Sequence, residues 1–216
     1  MKEPTGRPDM VHSPTVIEKI LLDPPASKIY SRLGYRRKLT SLSPARKEET
    51  DRYIEEAAAL ISLQGAFMRL PIRETDGRVV RLSGGLCLES TKVARFLTAC
   101  TEAVFMAATS GNAVMESIKN KTNEDNLTAA VVYDATASEM TDAALDWLMS
   151  YINGQLRREG KQLLKRRFSA GYGDFALSNQ KEIFEKLQLE RIGVALTPSF
   201  LLIPEKSVTA VGGISG

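Results

Sequence analysis

Apolar positions along this 216-residue chain recur with two periods, and stretches of the two kinds alternate. Val16 to Leu22 is a short apolar segment stopped by Asp23-Pro24-Pro25, either a strand or a single helical turn. Ser43-Pro44 has the chemistry of a helix start, serine at the N-cap and proline at the first helical position. Ile54, Ala57, Ala58 and Ile61 then follow at helical spacing, and the helix is predicted to end near Gly65. Ala66 to Ile72 and Val79 to Leu82 read as two strands around Asp76-Gly77, a pair suited to a type I′ turn. Ser83-Gly84-Gly85 is a turn. Ser90 to Ala99 is a short helix, Ala103 to Thr109 a buried strand, and Asn112 to Lys119 a helix after the break at Thr109-Ser110-Gly111.

The longest helical pattern runs from Asn126 to Arg158, with Ala144, Leu145, Leu148, Tyr151, Ile152 and Leu156 on one stripe and glycine absent until Gly154. Ser178 is expected to cap a helix to Leu187 that buries Ile183, Phe184 and Leu187. Val194 to Ile203 and Ser207 to Val211 read as a hairpin around Pro204-Glu205-Lys206. Helices interspersed with hairpin-connected strands predict an α+β fold on an antiparallel sheet. Met1 to Ser13, polar and carrying Pro4 and Pro8, reads as a mobile tail; residues 14–216 form one domain.

Composition narrows the function without choosing it. A formal net charge of +3, with both signs interspersed, is too small to argue for nucleic acid. Cys87 and Cys100 make no Cys-x-x-Cys motif and no cysteine cluster; the simplest reading is a reducing, cytoplasmic setting with both as small apolar fillers, and one disulfide between them is the alternative. His12 is the sole histidine, so a histidine–cysteine metal site lacks ligands. The apolar run around Phe96 to Ala108 is broken by Glu102 and too short to span a bilayer, and no signal-peptide pattern opens the chain. Ser83-Gly84-Gly85 lacks the downstream Gly-Lys-Ser/Thr of a phosphate loop, and the early glycine pattern of doubly wound methyltransferases is missing.

The chemistry concentrates in Arg166-Arg167-Phe168-Ser169-Ala170-Gly171-Tyr172-Gly173-Asp174-Phe175. Two glycines permit positive φ and close backbone approach. Arg167 offers a planar fork for a carboxylate, and Tyr172 a flat face with a hydroxyl. A zwitterionic, adenine-bearing ligand suits such a loop; a glycine turn between two elements is the plain alternative. The six basic residues between Arg157 and Arg167 are either a wet helix end and strand edge or a surface for an acidic partner. Asp134 and Glu139, five apart, do not share a helix face.

Arg-x-Ser-x-Gly-Tyr-Gly-Asp, the helix after it, Leu196-Thr197-Pro198-Ser199-Phe200 and Pro204-Glu205-Lys206-Ser207-Val208-Thr209-Ala210 together resemble the activation (reactivation) domain of cobalamin-dependent methionine synthase, in its stand-alone form. The resemblance runs from about Leu82 to Gly213 and also takes in Tyr133-Asp134-Ala135-Thr136-Ala137-Ser138-Glu139. It implies a bent antiparallel sheet flanked by helices, and S-adenosylmethionine on the Arg-x-x-x-Gly-Tyr loop. On this chain that places Arg167 at the methionine end, backbone bonds from Ser169, Ala170 and Gly171, and Tyr172 as a wall. Asp146, one turn before Tyr151, aligns with an acidic residue near the ligand's sulfonium.

The implied function is reductive remethylation of cobalamin. An electron from flavodoxin or another reductant, and a methyl group from S-adenosylmethionine, restore the oxidised cofactor. No Asp-x-His-x-x-Gly motif is present, so the cobalamin would sit on a partner, the methionine synthase core, and this chain would act in trans without an acid or base of its own. Fused domains make further ligand contacts beyond the last hairpin, where the resemblance stops, so the expected site is incomplete, weaker or completed by the partner. A non-catalytic docking module of another corrinoid methyltransferase system is the alternative.

Overall fold

The computed structural model describes residues 13–36 and 41–216. The predicted tail, apart from Ser13, lies outside them, as do Arg37 and Lys38 of the sequence Arg36-Arg37-Lys38, three basic residues in a row that read as a solvated surface or a docking patch.

Seven strands form one antiparallel sheet among the described residues, in the order β4-β3-β2-β5-β9-β6, with β1 also on β2. They are β1 (Thr15–Ile17), β2 (Gln64–Thr75), β3 (Val79–Leu82), β4 (Cys87–Glu89), β5 (Glu102–Thr109), β6 (Gln162–Phe168) and β9 (Ser207–Ser215). A separate two-stranded ribbon pairs β7 (Ala195–Leu196) with β8 (Leu202–Ile203). Strand β2 pairs with β1 through its first residues and with β3 through its last, and a register shift between Ile72 and Glu74 redirects it between the two.

The period-2 alternation divides the core between the two sheet faces. Met68, Leu70, Phe105 and Val211 face one cluster, shared with Leu97 of α3 (Thr91–Leu97) and Ile183 and Leu187 of α6 (Asn179–Leu187). Phe67, Val104, Met106 and Ala210 face the other, against Leu145, Leu148 and Ile152 of α5 (Leu127–Leu156). Buried on both faces, β5 reads as an unbroken apolar run. The first half of α5 leaves the sheet and packs on α1 (Ala26–Arg32) and α2 (Pro44–Leu60) through Ile29, Tyr53, Ile54 and Tyr133. Helix α4 (Ala113–Asn123) precedes it.

Close approach fixes two glycines. A Cβ on Gly65 would lie 2.8 Å from Leu148 Cδ1, and one on Gly213 would lie 2.6 Å from Cys100 Sγ. Across the sheet, Arg69 spans Glu102 and Glu159 at 2.9 and 2.6 Å, tying β2 and β5 to the turn after α5.

Several expectations hold locally. Ser43 accepts the Arg46 N–H at 3.3 Å and opens α2, which stops at Leu60. Three need correcting. Ser207 to Val211 does not pair back on the preceding strand: β9 inserts between β5 and β6, burying both its faces, while β8 folds onto β7. The Asp76-Gly77 turn is not type I′, because Gly77 alone there has positive φ; the Asp76 carboxylate instead accepts the N–H groups of Arg78 and Val79. Ser178 precedes α6 but is itself helical and makes no side-chain cap bond.

Gly213→Ala is expected to lower stability by about 1–3 kcal/mol, since its methyl group must displace packed core atoms. Gly154→Ala, where a Cβ meets nothing within 4 Å on a helix, is expected to raise it by about 0.5–1 kcal/mol. Urea unfolding midpoints of the two variants check both signs.

Candidate functional site

Alternation along β6 sends its adjacent arginines to opposite faces of the sheet. Arg167 faces α5: its Nη1 donates to Asp146 Oδ1 at 2.5 Å and to Met149 Sδ at 3.3 Å, and its Nη2 lies 3.9 Å from Asp142 Oδ1. Helix α1 completes the ladder, with Lys28 Nζ 3.3 Å from Asp146 and Arg32 Nε 2.6 Å from Glu139. Partial burial pushes the Asp146 carboxyl up, but Arg167 and Lys28 outweigh it and hold its pKa below the usual carboxylate value. Arg166 turns the other way, its guanidinium 5.5 Å from the centroid of the Phe168 ring.

Beyond Phe168 the chain makes a tight glycine turn. Gly171 and Gly173 adopt φ of +90° and +66°. The Gly171 N–H donates to Phe175 O at 2.8 Å, and the Phe175 N–H to Tyr172 O at 3.2 Å. Phe175, 1 % exposed, and Ala170 anchor the turn in the core. Asp174 ties it to α3: Ser90 Oγ donates to Oδ1 at 2.7 Å, and the N–H groups of Thr91 and Lys92 donate to Oδ2 at 2.8 and 3.3 Å. Ser90 Oγ accepts in turn from the Val93 N–H, so serine and aspartate together cap the helix. The Ser90 hydroxyl, followed by the helix N–H groups, holds the Asp174 carboxyl below its ordinary value.

The turn leaves a gap in the sheet. The β6 ladder ends at Phe168↔Val211, and β9 extends past it toward Ser207 without an outer partner strand. A cleft of about 560 Å³ opens there. Arg167, Phe168, Ser169, Ala170 and Tyr172 form one wall, Asp142 and Leu145 of α5 a second, and Gln180, Leu202 and Ser207 to Thr209 the remainder. Tyr172, 74 % exposed, stands at the rim. The Ser169 hydroxyl has no partner among the described residues.

Of the residues singled out in the sequence, Arg167, Ser169, Ala170 and Tyr172 line this cleft. Gly171 shapes the turn, with its N–H already spent on Phe175. Asp146 lies outside the lining and acts on Arg167; Asp142, one helical turn earlier, supplies the carboxylate on the wall. The i, i+4 spacing of Asp142 and Asp146 was available as a signal.

Gln180 was also missed. It is 8 % exposed, accepts from Thr209 Oγ1 at 2.7 Å and donates to the carbonyl of Phe200 at 3.2 Å, a residue with φ of +64°. Gln180 shares the buried stripe of Ile183, Phe184 and Leu187, and a polar side chain on that stripe was its one mark in the sequence. The Thr109-Ser110-Gly111 turn spends its polar groups internally, on Ser207 and the Lys206 carbonyl. No metal-holding group of three or more His, Cys, Asp or Glu side chains occurs among the described residues, and no helix there is long and apolar enough to cross a membrane.

No protein-family model matches the sequence, and no curated protein matches it. The structure does find a counterpart, the MetH reactivation domain bound to AdoHcy, with a TM-score of 0.61 over 93 % of this chain and 80 % of that one, at 14 % identity. The chain has the reactivation-domain fold. The expected α+β architecture, antiparallel sheet with flanking helices, is thereby observed.

Asp174→Ala is expected to lower the melting temperature and to open the 169–173 turn to limited proteolysis. Because the carboxyl's pKa falls on folding, its contribution is complete above the ordinary value of 3.8 and fades as pH drops through the folded value. The melting-temperature gap between wild type and variant should therefore stay constant from pH 7 to about 4 and close below it.

Proposed function

We propose that this chain binds S-adenosylmethionine in the cleft beside the glycine turn and serves as the methyl-donor module for reactivating cobalamin carried by another protein, a methionine synthase core. The observation behind this reading is the coincidence of the Arg167–Tyr172 segment with a cleft in a fold shared with an AdoHcy-bound reactivation domain. AdoHcy is what S-adenosylmethionine becomes once its methyl group has left.

The cleft suits a sulfonium-bearing amino acid joined to a nucleoside. The Asp142 carboxylate offsets a positive sulfur. Arg167, held in orientation by Asp146, offers its guanidinium or its carbonyl to the amino-acid end. Ser169 supplies a free hydroxyl, the unpaired stretch of β9 supplies backbone groups, and Tyr172 closes over a flat ring at the rim. No acid or base is needed: the sulfur–methyl bond breaks as the methyl passes to the partner's reduced cobalt, and the module contributes position. An electron donor such as flavodoxin and a cytoplasmic setting complete this reading.

Titration calorimetry with S-adenosylmethionine should show saturable binding to the wild type. Arg167→Ala and Asp142→Asn should weaken it by about tenfold to a hundredfold, the usual cost of a lost charged contact. Absence of heat from the chain alone, and again in the presence of a cobalamin-loaded methionine synthase core, would refute ligand binding and leave a docking module without methyl transfer.

A further inference from the structure

On the opposite face of β6 from Arg167 lies a second cleft, of about 540 Å³. Its floor is aromatic: the rings of Phe96 and Phe168 meet at 5.0 Å. Its rim is basic, with Lys92 and Arg95 from α3 and Arg166 from β6. All three are exposed. The side chains of Lys92 and Arg95 make no hydrogen bond or ion pair among the described residues, and Arg166 has only the Phe168 ring. The cations on the α5 side, by contrast, are each answered by a carboxylate: Arg167 by Asp146, Lys28 by Asp146, Arg32 by Glu139. Asp174, the acid that touches α3, is committed to Ser90 and the helix N–H groups.

Three like charges lining one small patch repel one another, and Arg166 is packed there against the Phe168 ring. An anion seated among them would remove that cost. Two planar guanidinium forks and one ammonium suit the oxygens of a phosphate better than a single carboxylate, because they offer donors from several directions to a group with three terminal oxygens. The three cations lie within one patch of seven lining residues, a footprint nearer to a single small anion than to an extended acidic surface. We infer that this cleft is a binding site for a small phosphate-bearing ligand. It is distinct from the cleft beside Asp142, since strand parity puts Arg166 and Arg167 on opposite faces, although Phe168 and Tyr172 line both. The inference stands whether or not the first cleft binds S-adenosylmethionine.

The test is calorimetric titration of the full chain, at low ionic strength, with sodium pyrophosphate and separately with AMP. The comparison set is Arg95→Ala, Lys92→Ala/Arg166→Ala, and Lys181→Ala on an exposed face elsewhere. These side chains lie on the surface, and a thermal melt of each variant confirms that it folds. Saturable one-site binding that falls at least about tenfold in the two cleft variants, stays unchanged in Lys181→Ala and weakens with added salt would establish the site. Tighter AMP than pyrophosphate would assign a nucleoside monophosphate, and the reverse order a free polyphosphate. No saturable binding of either probe, or equal loss in Lys181→Ala, would overturn the inference.

Discussion

The insertion of β9 between β5 and β6 is the constraint on which the rest of the molecule depends. Eight residues of β5 pair with β9 from Glu102↔Ile214 to Thr109↔Ser207, and β6 joins the other side at Arg167↔Gly212 and Phe168↔Val211. That register decides which way Arg166 and Arg167 point. It also decides where β6 ends, and hence where the edge of β9 is left open. Gly212 contributes by having no side chain: a Cβ there would come within 3.1 Å of both Leu163 Cδ1 and Val104 Cγ1, so the crowded centre of the sheet admits β6 only at that residue's expense.

Two polar assemblies then hold the glycine turn in place from either side. On one side the ladder Lys28–Asp146–Arg167, with Arg32, Asp142 and Glu139, binds α1 and α5 to the end of β6. Its members are partly exposed, so each pair alone adds little stability; their shared effect is to limit the orientations open to one guanidinium. On the other side Asp174 joins the turn to the first residues of α3. The turn is therefore positioned by three helices, of which α1 and α3 are far from it in sequence, and its shape is not a property of its glycines alone.

Local signals in the sequence carried most of the elements. The Ser43-Pro44 start, the apolar run of β5 and the long stripe of α5 need only near neighbours to be read, and each is present. The segment Arg167 to Tyr172 was legible by its residue types and its likeness to a known loop. What was not legible depended on tertiary geometry. Pro204-Glu205-Lys206 looks like the apex of a hairpin, yet β9 finds a better burial for both faces between β5 and β6 than beside β8. Asp142 and Asp146 differ by one helical turn, and only the approach of β6 determines that the second takes Arg167 while the first faces the cleft. Gln180 carries no local mark of its bonds to Thr209 and Phe200, which come from other elements.

The place of β9 also has a consequence for how the protein is made. β6 is synthesised well before Ser207 to Ser215, and among the described residues β9 is its one neighbour in the finished sheet. While the chain emerges from the ribosome, β2 can already close on β5, but β6, with Leu163 and Phe168, has no strand to join. Pairing β9 with β5 on one side and β6 on the other is a non-local event of the kind that slows folding and leaves strand edges exposed until it is complete. Lys165, Arg166 and Arg167 on β6, with Lys161 just before it, give that edge a charge of one sign, which discourages two unfinished chains from pairing through it.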